Sequence, residues 1–186
     1  MKKFLFLMVA LFSAITMSAK DDVTVKSGSL AEIKAAGKSN VFIVWDYSAA
    51  TLGGKDVDAY LKEKGGDWVE NYPQELVKAE AEFAKAVGKS KFVNVTTEKD
   101  QAQYIITVKV KDFHYGSTGA AVMIGFGAGD AHLSGSVEFT KNGSTETISV
   151  LDVDGVPGAG FGNERRRREA YKELGEWVVK LIKKAK

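Results

Sequence analysis

Tyr104-Ile105-Ile106-Thr107-Val108-Lys109-Val110-Lys111 is the stretch that decides how this chain folds. Tyr104, Ile106, Val108 and Val110 alternate with Thr107, Lys109 and Lys111, Ile105 being the exception. A period of two sends alternate side chains to opposite faces, so this segment reads as a strand with one dry and one wetter face. Downstream, Leu133, Gly135, Val137 and Phe139 repeat the alternation. Asn142-Gly143 then supplies two residues that tolerate the positive φ of a tight hairpin, and Thr145 to Val153 returns as the paired strand.

Upstream, Val41-Phe42-Ile43-Val44-Trp45 is continuously apolar and β-prone, which predicts a central strand buried on both faces. Phe92 to Val95 is a short strand. Ser29 and Glu32 have the spacing of a capping box, and Gly37 is the matching stop. Val57, Tyr60 and Leu61 stand at helical spacing between the breaks Gly53-Gly54 and Gly65-Gly66. Trp68 to Val87 is a long helix whose stripe is Leu76, Glu80, Phe83, Ala84 and Val87, with Pro73 opening its main segment and Gly88 closing it. Tyr171, Leu174, Trp177, Val178, Leu181 and Ile182 form the stripe of a last helix. The order of elements implies an α+β fold: a single mixed, mainly antiparallel sheet with helices packed on it and a long C-terminal helix. It is not the strict alternation of a doubly wound nucleotide-binding fold.

The amino terminus has the three-part layout of a secretory signal peptide. Met1-Lys2-Lys3 is basic, Phe4 to Ile15 is mostly apolar, and small or polar residues follow before Lys20-Asp21-Asp22. Residues 1–19 are therefore expected to be removed on export, leaving 20–186 as a single α/β domain without a transmembrane span, periplasmic or secreted. Lys2 and Lys3 go with the leader, so the remaining basic residues equal the 24 acidic ones. That balance argues against a nucleic-acid partner, which needs a basic surface. The chain has no cysteine, so packing rather than disulfides must hold it, and no lipid can be attached through an amino-terminal Cys.

Two Gly-rich segments supply the candidate sites. Gly125-Phe126-Gly127-Ala128-Gly129 invites comparison with a dinucleotide fingerprint, but the segment after it alternates as a strand where a helix is required. Gly158-Ala159-Gly160-Phe161-Gly162 runs into the last helix, with Asn163 as its expected N-cap. Free amides at such a helix start could hold an anion. Arg165 to Arg168 follow, and basic residues there oppose the helix dipole, so acidic groups are expected nearby. Four consecutive helical residues fan through about 300°. Arg167 falls in register with Tyr171 and Leu174, while the others point to the side or outward. The bland reading of the run is a salt-bridged first turn, through Glu164–Arg168 and Arg165–Glu169 pairs or bridges to Asp152 or Asp154. His114, Asp130 and His132 lack the spacing of an established metal motif, and Asp152-Val153-Asp154-Gly155 is only a fragment of a calcium loop. Trp45, Trp68 and Trp177 read as core anchors. Val122, Met123, Ile124, Val156 and Phe161 would make an apolar patch if both Gly-rich segments met at one end of the sheet.

The run Gly125-x-Gly127-x-Gly129 with Leu133, Val137 and Phe139, and Val44-Trp45-Asp46-Tyr47-Ser48 before a Gly-Gly-Lys break, resemble segments of uncharacterised exported envelope α/β proteins of Bacteroidetes-like bacteria. Many of those are lipoproteins, and this chain departs from them in lacking the lipid-attachment Cys. The resemblance implies an exported domain and carries over no catalytic residue. The expected function is non-enzymatic binding of an envelope protein or a small ligand through Gly125, Phe126, Gly127, Gly129, Gly160, Phe161, Gly162 and Arg167, with no cofactor or metal. The alternative is a small-anion or small-molecule binder, or an enzyme, using Gly158–Gly162 and the Arg165–Arg168 helix start.

Overall fold

The computed structural model describes residues 21–117 and 129–186. In chain order the elements are β1 (Val23–Gly28), α1 (Ala31–Ala35), β2 (Ser39–Asp46), β3 (Thr51–Leu52), β4 (Lys55–Asp56), α2 (Val57–Lys64), α3 (Asp67–Gly88), β5 (Val93–Val95), β6 (Tyr104–His114), β7 (Ala131–Lys141), β8 (Thr147–Gly158) and α4 (Asn163–Lys184). One mixed sheet runs β1-β8-β7-β6-β2-β5, with β3 beside β6 and β4 beside β3. The β1–β8, β8–β7 and β7–β6 pairs are antiparallel, and β2 is parallel to β6 and β5. This is the α+β arrangement expected, ending in the long helix.

The alternation is realised as read. Ile106, Val108, Val110, Leu133, Val137, Phe139, Leu151 and Val153 are buried beneath α3 and α4. Thr107, Lys109, Ser136, Glu138 and Asp152 take the opposite positions, and Lys109 pairs with Glu138 at 2.8 Å. The three tryptophans all pack partly buried against the core.

Several expectations need correction. β2 is not buried on both faces: it lies one place from the sheet edge, and Phe42 and Val44 are half-exposed. An apolar run reports burial without saying on how many sides. The capping box does not close, because Glu32 instead pairs with Lys141 at 2.8 Å, while Ser29 Oγ accepts from the Ala31 amide. Pro73 lies inside α3, which begins at Asp67, and the buried α3 residues are Glu75, Ala79, Phe83, Ala86 and Val87. At the β7–β8 hairpin only Gly143 has positive φ; Asn142 instead donates its side-chain amide to the carbonyls of Lys99 and Ala102. The second Gly-rich segment is half strand, since Val156, Pro157 and Gly158 pair with Leu133, His132 and Ala131. Val156 is accordingly buried and belongs to no surface patch.

α3 and α4 cross closely because α4 presents Gly175 there. A Cβ at that position would stand 2.8 Å from Ala86 Cβ and 2.9 Å from the Phe83 carbonyl oxygen. The missing side chain lets the two backbones approach and fixes which turns of α3 and α4 face one another.

Candidate functional site

β6 ends, β7 begins and β8 ends at the same end of the sheet, as the His114–His132 and Ala131–Gly158 pairings require. α4 starts there and α3 passes over it. This juxtaposition builds a closed polar cluster. Arg167 Nε donates to Glu75 Oε1 at 2.5 Å, Arg167 Nη2 donates to the Tyr115 hydroxyl at 2.6 Å, and that hydroxyl donates to Glu75 Oε1 at 2.7 Å. Arg167 is 1% exposed and Glu75 7%. The guanidinium carbon lies 4.2 Å from the Phe113 ring centroid, 4.9 Å from Tyr115 and 5.0 Å from Tyr72. Aromatic faces and one carboxylate thus replace the water that the cation gave up. Burial pushes the Tyr115 phenol well above its ordinary range, with Arg167 pulling the other way, so it stays a neutral donor.

A second polar contact extends this network. Tyr171 is fully buried, and its hydroxyl lies 3.4 Å from that of Tyr47. Tyr47 donates to Glu80 at 2.8 Å. Burial raises the Glu80 carboxyl above its ordinary value, and the Tyr47 hydrogen bond opposes it.

Arg166 is the residue that the sequence reading missed. Its spacing sends it to the side or outward, yet it is 2% exposed. Its Nε donates to the Gly160 carbonyl and its Nη1 to the Tyr115 carbonyl, both at 2.9 Å. It fastens the approach to α4 onto the end of β6. The signal available in the sequence was the i, i+4 step from Arg166 to the buried Ala170. Arg168 behaves as expected, bonding Glu82 at 3.0 Å and Glu164 at 3.6 Å. The acidic groups anticipated near the run therefore include Glu75 and Glu82 of α3.

Outside this cluster opens a cleft of about 290 Å³. Trp68, Tyr72 and Tyr115 line it together with Glu75 of the cluster and the polar residues Asp67, Asn71, Gln74, Lys78, Asn163 and Glu164. Trp68 meets Tyr115 edge-on at 5.1 Å and Tyr60 edge-on at 5.8 Å, which holds the indole in place. Lys78 and Glu164 pair across the cleft at 2.7 Å. A second hollow of similar volume, at Ser29, Glu32, Lys141 and Thr147, has no aromatic wall.

The sequence-predicted residues divide as follows. Gly125, Phe126 and Gly127 lie outside the described residues, as do Val122, Met123 and Ile124. Gly129 sits where β7 begins, and its carbonyl accepts from the Ser117 amide. Gly160 (φ +126°) and Gly162 (φ +86°) take left-handed conformations, and Gly162 rather than Asn163 is the α4 N-cap. Phe161, between them, is 68% exposed. Arg167 is inside the fold and already holds a carboxylate. His114 and His132 face each other across β6 and β7, but no three His, Cys, Asp or Glu side chains converge among the described residues. No described helix is long and apolar enough to cross a membrane.

Residues 31–180 match the family described as Domain of unknown function (DUF4410), and the chain belongs to that family. No curated protein matches it. Among solved structures, the PelC dodecamer from Paraburkholderia phytofirmans is similar at 14% identity and a TM-score of 0.45, covering 83% of this chain and 96% of that one. A point variant of the same dodecamer gives 14% identity and a TM-score of 0.44, covering 83% and 95%. At these values the likeness carries no inference for this chain.

Proposed function

We propose that this member of the DUF4410 family is an exported, non-catalytic binding domain that takes a small ligand in the cleft between α3 and the start of α4. The reading rests on one observation: a concave aromatic-walled site whose rim amides, Asn71, Gln74 and Asn163, have no side-chain partner among the described residues. Aromatic side chains beside convergent polar groups are elements that small-molecule sites share, and polar and apolar groups line this cleft about equally. Glu75 and Tyr115, which line the cleft, and Arg167 behind them hold one another and so form a rigid back wall. Arg167 and Arg168 are committed to carboxylates and Arg166 to backbone carbonyls. Arg165, the remaining member of the run, is exposed and does not line the cleft, and Glu169 pairs with Lys172 rather than with it, so a neutral ligand is favoured there over the anion alternative.

A thermal-shift panel of neutral, cationic and anionic small molecules tests this. A ligand at a hundredfold excess over its Kd stabilises by about 2.7 kcal/mol. The expected result is a rise in Tm for wild type that Asn71→Trp, which fills the cleft, abolishes. A panel without any shift, or one shifting both proteins alike, overturns the reading. Export through residues 1–19 is part of the proposal. Edman sequencing of material secreted by an export-competent host is expected to begin near Lys20, and intact Met1 in the cytosol would count against it.

A further inference from the structure

We infer that the ligand of this cleft is an uncharged, hydroxyl-rich ring of the monosaccharide class. The inference rests on the binding reading above and names its chemistry.

All the charges that line the cleft except Asp67 are already matched. Glu75 holds Arg167, and Glu164 holds Lys78 and Arg168. Asp67 stands in the first turn of α3, where the helix dipole favours a carboxylate. An anionic ligand would meet these carboxylates, and its natural counter-charges are engaged elsewhere. A cationic ligand would stack on rings that already face cations: Arg167 lies over Tyr72 and Tyr115, and Lys64 lies 6.0 Å from Trp68. An anion gains no free partner in the cleft; a cation gains Asp67 alone, on rings that other cations already face.

The groups left unpaired point to hydroxyls. Each carboxamide of Asn71, Gln74 and Asn163 offers an acceptor and two donors on one plane. A hydroxyl is both donor and acceptor, so adjacent ring hydroxyls can satisfy the two ends of one amide together. Asp67 adds a pure acceptor. Trp68 and Tyr72 line the same space, and aromatic side chains are suited to the C–H face of a saturated ring. A wholly apolar ligand would bury those amides without partners and is disfavoured for that reason.

The test is a titration of the full mature chain, followed through the side-chain amide resonances of Asn71, Gln74 and Asn163. The probes are methyl glucoside, methyl galactoside and methyl mannoside, with glucose 6-phosphate and glucosamine as charged counterparts. The expected outcome is saturable shifts of the three amides with at least one neutral glycoside, and at least tenfold weaker binding of its charged counterpart. Asn71→Ala and Asn163→Ala, both surface changes, are expected to weaken the neutral glycoside at least fivefold while Tm is preserved. Saturable shifts caused only by charged probes overturn the ligand class and leave the cleft reading standing. Absence of any shift with every probe overturns the class, and the thermal-shift panel then decides the cleft reading independently.

Discussion

Arg167 on α4 and Glu75 on α3 neutralise each other inside the helix interface, ninety-two positions apart in the chain. The pairing converts a basic helix start into the back wall of a cleft. Its energetic character follows from burial. Two charges removed from water are tolerated because each meets the other, while either alone would be stranded.

Breaking the pair from one side should therefore be severe. Glu75→Leu or Arg167→Met is expected to lower the unfolding free energy by about 3–5 kcal/mol. The double variant Glu75→Leu/Arg167→Met should lose less than the two single losses combined, because no charge is left unpaired. Urea denaturation of the four proteins checks this. Additive losses would mean that the two side chains act separately.

Arg166 is expected to act through the segment it fastens. Arg166→Leu leaves the Gly160 and Tyr115 carbonyls without their donor, at about 1–3 kcal/mol for a buried group left unsatisfied. Amide hydrogen exchange should accelerate at residues 159–165 more than in α3. A uniform acceleration across the domain would argue against a local clasp.

Gly158 marks where β8 passes under α4. A Cβ there would fall 2.1 Å from the Arg166 carbonyl oxygen and 3.0 Å from Ala170 Cβ. Gly158→Ala should cost about 1–3 kcal/mol through forced overpacking and should displace the first turns of α4. Gly88→Ala is the control, since its Cβ would meet only Val95 Cγ2 at 3.9 Å. Equal Tm values for the two variants would contradict the packing described.

Glu80 gives a pH dependence with a definite sign. Burial raises its carboxyl above the ordinary 4.5, against the Tyr47 hydrogen bond. The folded state then binds this proton more tightly than the unfolded state, so this group's contribution to stability falls as pH rises from 4.5 through the folded value. Glu80→Gln keeps an acceptor for Tyr47 and removes the titration. The difference in denaturation midpoint, variant minus wild type, should grow with pH across that window and level off above it. A flat or falling difference would contradict this assignment.

Much of the architecture was legible in the chain because strand and helix periods are local. The alternation over Tyr104–Val110 and Leu133–Phe139 named the dry face of the sheet, and the spacing of Tyr171, Leu174 and Val178 named the buried face of α4. Position within the sheet was not legible. Val41–Trp45 is apolar whether a strand is central or next to an edge, because one covered face and half-covered neighbours suffice to select apolar residues. The Gly155–Gly158 strand was hidden by its glycine and proline content, which marks a loop locally but is acceptable where β7 supplies the pairing.

The site divides in the same way. Residue spacing placed Arg167 in register with the buried stripe of α4, and the helix dipole led to the expectation of acidic groups near the arginine run. That the company is Glu75, that Tyr115 closes the triangle, and that Arg166 is buried beside Arg167 were decided by the crossing of α3 and α4 at Gly175. Periodicity is written into neighbouring residues and survives in any tertiary setting. Which turn of one helix faces which turn of another depends on backbone approach between segments far apart in sequence, and no local pattern records that distance.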